Sequence, residues 1–145
     1  MNGWEEIRLP WFDSTPHHPK LADGALGIAL WVPERISLER SKNRVPVFGT
    51  VRLSAAELKD LAIEDGHPIR AAVLGLVTDG FYDPHVGNVM GQAPLFPPQT
   101  GVMVSGQFAV DLFEVVRVKP SRGRYFVFGS VGSWTVGAFP IEVVA

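Results

Sequence analysis

Asp79, Asp83 and His85 stand at i, i+4 and i+6 in a stretch rich in glycine and proline, and a loop folded back on itself could gather all three around one ion. Two carboxylates and an imidazole form an oxygen-rich donor set, which suits calcium or magnesium better than copper or zinc. A divalent metal held there would make the chain a small metal-dependent hydrolase. The same residues also serve turns. Asp79-Gly80 is a common turn pair and Asp83-Pro84 commonly opens a turn. The calcium-loop spacing of an EF-hand fails at Gly80 and Phe81, so the site matches no established ligand motif.

Other catalytic chemistry has less to stand on. The chain has no cysteine, which removes disulfides, thiolate metal sites and thiol nucleophiles together. The remaining histidines are His17, His18 and His67, and adjacent His17 and His18 do not converge on one ion as residues two or four apart do. Ser130 and Ser133 flank Val131-Gly132 in what reads as a hairpin turn, and no Gly-x-Ser-x-Gly elbow is present. Neither a Gly-x-Gly-x-x-Gly nor a Walker pattern occurs. No two of the 15 acids are marked as a hydrolytic pair. The expectation is a non-catalytic protein without a cofactor, with the metal site at Asp79, Asp83 and His85 as the alternative.

These residues belong to a longer feature. Residues 79–101 carry too many prolines and glycines for a continuous element, yet include apolar side chains that favour burial. Loops of this length in compact domains are usually binding loops or compact surface loops. Phe81, Tyr82, His85, Met90 and Phe96 are the side chains such a loop would present to a protein partner or ligand, the plain alternative being a proline-pinned loop that only caps the core.

The elements that must hold this loop read as strands. Residues 25–32, 45–53, 69–78, 102–105, 107–118, 124–131 and 134–144 are rich in valine and aromatics and are separated by turn residues. Residues 1–22 contain Trp4, Trp11 and three prolines, and read as an extended arm with a short strand at 5–9, ahead of one domain over 23–145. One short helix is expected near residues 54–64. Ser54 and Glu57 form a capping box, Leu58, Leu61 and Ala62 make the apolar face, and Gly66 is the candidate left-handed terminator. Residues 34–44 could add a helical turn, but Ser41-Lys42-Asn43-Arg44 reads more simply as exposed loop. Glu114 breaks the pattern, because alternation from Phe108, Val110 and Leu112 puts its carboxylate on the apolar face. A bulge near Phe113, a strand end, or a buried ion pair with Arg52 or Arg70 would each resolve this.

Lys119-Pro120-Ser121-Arg122-Gly123, followed by Arg124-Tyr125-Phe126-Val127, resembles the Pro-x-x-Gly-x-Tyr-x-Val pattern of immunoglobulin-like and fibronectin-type sandwiches. The resemblance covers residues 107–144 and places Tyr125 at the tyrosine corner, where the hydroxyl ties to nearby backbone. It implies an all-β, antiparallel β-sandwich of about seven to nine strands. A small open β-barrel is the alternative.

Composition narrows the partners. The 145 residues include 13 Lys+Arg and 15 Asp+Glu, a net charge of −2, with 46% hydrophobic residues, which allows a core and argues against disorder. Basic residues cluster at Arg35, Arg40, Lys42 and Arg44 and again at Arg117, Lys119, Arg122 and Arg124, but nearby glutamates dilute both, so nucleic acid is not expected. The longest apolar run, 71–77, is far shorter than the ~20 residues of a membrane span, and the acidic start has no signal-like apolar region. A cytoplasmic protein away from membranes is therefore expected. Trp4, Trp11, Trp31 and Trp134 could stack sugars, so a carbohydrate-binding module is a third reading, with core packing as the plain one. The leading expectation is a protein-interaction or structural module, working as a homo-oligomer or a subunit of a larger assembly.

Overall fold

A computed structural model of the chain describes residues 19–63, 68–80, 84–89 and 103–145. The elements run β1 (Gly27–Trp31), β2 (Arg35–Ser37), α1 (Leu38–Ser41), β3 (Pro46–Ser54), α2 (Ala55–Asp60), a 3₁₀ turn (Pro68–Ala71), β4 (Ala72–Thr78), β5 (His85–Asn88), β6 (Met103–Asp111), α3 (Leu112–Val116), β7 (Gly123–Val131) and β8 (Trp134–Val144). The fold is mostly β. Three strands order as β1-β3-β6 and five as β2-β8-β7-β4-β5, and neither sheet closes into a barrel. Every pair is antiparallel except β2 with β8, which is parallel.

The strand alternation expected from valine and aromatic spacing is present where one face is buried. Along β7, Tyr125, Val127, Gly129 and Val131 face the core, while Phe126, Phe128 and Ser130 lie half-buried on the other face. Phe48, Val51, Leu53, Leu74, Leu76, Phe108 and Val127 are fully buried in the shared core. Leu30 and Ile28 of β1 reach across to Gly129 of β7, so the two sheets interdigitate. Across the larger sheet, Gly75 stands opposite Phe128, whose ring covers it; a Cβ at Gly75 would collide with that ring.

The arm's last residues are tied to the smaller sheet. Thr50 Oγ1 donates to the Pro19 carbonyl, and Arg52 Nη1 donates to the carbonyls of Ala22 and Ala25 at 3.1 Å each. Arg52 Nε also donates to Ser105 Oγ at 3.0 Å. Arg52 is thus occupied in joining the arm, β3 and β6, and does not pair with Glu114.

Three sequence expectations need correction. First, the strand expected over 107–118 stops at Asp111, and residues 112–116 turn into α3 with Leu112, Phe113, Val115 and Val116 buried and Glu114 exposed. The strand end, rather than a bulge or a buried ion pair, resolves the Glu114 anomaly. The separate strand candidates at 102–105 and 107–118 also merge into one β6. Second, the 79–101 segment is not without regular structure: residues 85–88 form β5, antiparallel to β4 with His85 opposite Leu76. Gly87 permits this strand, because a Cβ there would collide with the Val115 carbonyl of α3. Third, α2 ends before Gly66, which lies outside the described residues. The capping box at Ser54 and Glu57 is present, but the left-handed terminator is Ala62, with φ of 57°. Ile63 N–H reaches Leu58 O and Ala62 N–H reaches Lys59 O, both at 3.0 Å, which is a Schellman ending built on alanine. Short strand β2 and helix α1 occupy the 34–44 region. The arm residues 1–18 and their expected strand lie outside the described residues.

Asp111 locks the point where β6 gives way to α3. Its Oδ1 accepts from the buried Val45 N–H at 3.0 Å, while Leu112 N–H donates to Val45 O at 2.8 Å. Burial raises the Asp111 pKa above 3.8, reinforced by the Glu114 charge and opposed by the Val45 amide and Arg44. A raised carboxyl contributes stability that is full below the unfolded value and is lost as pH rises through the folded value. Asp111→Asn keeps an acceptor for Val45 and removes that titration; Asp111→Ala orphans the amide and is expected to lose about 1–3 kcal/mol at neutral pH. Urea unfolding between pH ~4 and ~7 checks both, with wild type losing stability relative to Asp111→Asn as pH rises.

Candidate functional site

A groove forms where the chain crosses from one sheet to the other. After β1, Val32 and Pro33 leave the smaller sheet, and Pro33 has no N–H with which to continue a ladder. Glu34 then reaches the larger sheet, where its carbonyl accepts from Glu142 N–H at 2.9 Å. From there β2 runs parallel to β8, with Arg35 opposite Glu142 and Ser37 opposite Val144. The crossover leaves a groove of about 560 Å³, within the usual range for ligand sites.

Its lining comes from four places. β1 and the crossover supply Leu30, Trp31, Val32 and Glu34; Asp79 follows β4; Arg124, Tyr125 and Phe126 open β7; and Phe139 to Glu142 belong to β8. Asp79 N–H donates to Arg124 O at 2.9 Å, which extends the β4–β7 ladder and fixes Asp79 at the rim. Glu142 lies opposite Arg124 in the β7–β8 register. Trp31 is half-buried and meets Phe48 edge-on at 5.6 Å, so the core sets the position of its ring.

Tyr125 anchors the buried side of this groove. Its hydroxyl donates to the Ser121 carbonyl at 2.9 Å and hydrogen-bonds Ser121 Oγ at 2.8 Å. Its ring packs edge-on against Phe113 of α3 at 5.7 Å. The hydroxyl-to-backbone tie expected for Tyr125 is therefore formed, and it joins the turn before β7 to α3.

The structure places the sequence-predicted residues unevenly. Asp79 is at the groove, and His85 is exposed on edge strand β5. Asp83, Phe81, Tyr82, Met90 and Phe96 lie outside the described residues, as do Trp4, Trp11, His17, His18 and His67. Among the described residues, no group of three His, Asp or Glu could hold a metal ion. Glu34, Phe126, Phe139 and Glu142 were not singled out by sequence reasoning, and no local motif marks them. They converge only through the β1-to-β2 crossover and the β7–β8 register.

Trp134 is engaged at the other end of the larger sheet. Its side chain lies where a Cβ on Gly27 would meet it, and its Nε1–H donates to Glu57 Oε2 at 2.8 Å. Glu57 is held below its ordinary 4.5 by the Ser54 backbone N–H first and by Trp134 second. The indole thus bridges the β7–β8 turn to the capping box.

Comparison with protein-family models, curated proteins and solved structures returns no match. No described helix is long and apolar enough to cross a membrane.

A depressed carboxyl contributes stability that is present above the unfolded pKa and lost as pH falls through the folded value. Trp134→Phe removes one of the three hydrogen bonds holding Glu57 down. The expected result is a Glu57 pKa shifted upward toward 4.5 with α2 still capped, read by NMR titration of the side-chain carboxyl.

Proposed function

We propose that the chain is a non-catalytic, immunoglobulin-like interaction module that seats a segment of a protein partner in the crossover groove. The observation that carries this reading is the groove itself: a concave site of about 560 Å³ in which aromatic and aliphatic side chains lie beside a few charged groups. That mix is typical of a recognition site.

The sheet order supports the immunoglobulin-like half of the reading. With β1, β3, β4, β6, β7 and β8 as strands A, B, C, E, F and G, the sheets become A-B-E and G-F-C. Tyr125 then sits near the start of strand F with its hydroxyl on backbone four residues upstream, as a tyrosine corner requires. The missing cysteines leave packing and hydrogen bonds such as this to hold the sheets together, and fit a reducing, cytoplasmic setting.

The groove also favours insertion over strand addition at β8. Before Glu142, β8 has no strand on its outer side among the described residues. Pro140 removes one donor from that edge, and the register shifts between Val127 and Gly129. Proline and irregularity both discourage another strand from docking on an edge. A partner would therefore be held mainly by side chains entering the groove.

A photo-cross-linking residue at Phe126, in the groove, is expected to give a discrete protein adduct in the native host. The same residue at Lys59, on α2 near the opposite end of β7, should give none. Mass spectrometry of the adducts decides: equal labelling from both positions, or none from Phe126, contradicts groove binding.

A further inference from the structure

We infer that the partner segment enters the groove with an arginine or lysine side chain. This rests on the groove being a protein-binding site, and specifies which chemistry it selects. Three acidic residues, Glu34, Asp79 and Glu142, and one basic residue, Arg124, are among the groove's lining residues. All four are exposed, and none of the three carboxylates makes a side-chain hydrogen bond or ion pair among the described residues. Among the described lining residues, acidic side chains thus outnumber basic ones by three to one.

Charge alone would attract any cation. The aromatic lining narrows the choice. Trp31 and Phe139 are half-buried in the lining, held by the sheets instead of lying free at the surface. Aromatic faces attract ammonium and guanidinium groups, and their apolar surface receives the methylene stem that carries such a group. A long cationic side chain thus satisfies both parts of the lining at once: its stem covers aromatic surface while its head meets the carboxylates. An acidic segment would meet the three carboxylates, and a purely aliphatic one would leave them beside an apolar ligand. Each would lose one half of the complementarity.

Selection of random octapeptides displayed on phage, against immobilised full-length protein, tests this directly. The control is the Glu34→Gln/Asp79→Asn/Glu142→Gln triple variant, whose changes are confined to exposed side chains and preserve their shape. The expected result is enrichment of peptides with arginine or lysine beside apolar residues, binding the triple variant about tenfold more weakly. Raising NaCl from ~50 mM to ~0.5 M should weaken wild-type binding and barely affect the variant. Peptides that lack a cation, bind the variant equally well and cross-link at Phe126 would overturn the inference while leaving the groove as the binding site. Failure to recover any peptide that cross-links at Phe126 would overturn both.

Discussion

The hydrogen bond from Glu142 N–H to the Glu34 carbonyl is the small interaction on which the site depends. A strand that begins in one sheet and continues in the other must cross the gap between them, and the backbone groups freed by the crossing need partners. Pro33 ends pairing on the first side, and Glu34 O resumes it on the second. β2 can then align with β8 for three residues. The groove is the space left beside that short, slanting passage, and its walls are whatever β1, β7 and β8 place there. Aromatic walls and acidic rim are consequences of register: Phe126 opposite Pro140, and Arg124 opposite Glu142.

Strand β7 transmits this arrangement through the molecule. It is hydrogen-bonded on both sides, to β8 and β4, so its position is over-determined. Tyr125 adds a third constraint through Ser121 and Phe113. The far end is tied separately by Trp134, which links the β7–β8 turn to the capped start of α2. A chain without cysteine has no covalent staple between its sheets, and these side-chain ties at both ends of β7 act alongside the core. The groove residues are thereby presented from paired strands, which under the proposed reading limits the ordering cost of binding.

Much of the fold was legible because its signals are local. Val127 and Val131 alternate with outward residues, Ser54 and Glu57 are three apart, and Tyr125 follows a recognisable turn. Each reports on a few neighbouring residues and needs no knowledge of the other sheet. α3 was missed for a physical reason: Leu112, Phe113, Val115 and Val116 are strand-forming types, and only burial of four of five positions with Glu114 outward betrays the helix. Ala62 was missed as a helix terminator because glycine normally takes that left-handed position. β5 is too short, and too polar at His85 and Asn88, to stand out before its pairing with β4 is known. The site was the least legible part. Glu34 and Glu142 are more than a hundred residues apart and meet only through the crossover, whereas Asp79 drew attention for an adjacent turn motif and turns out to lie at the rim for a different reason.

Hydrogen–deuterium exchange on the protein with and without a selected cationic peptide tests the central claim most directly. The crossover-groove account predicts slowed exchange confined to residues 31–34, 124–126 and 139–142, with β5 and the α2 end unchanged. Protection centred on β5, or on the turn between β7 and β8, with the crossover residues unaffected, would contradict it.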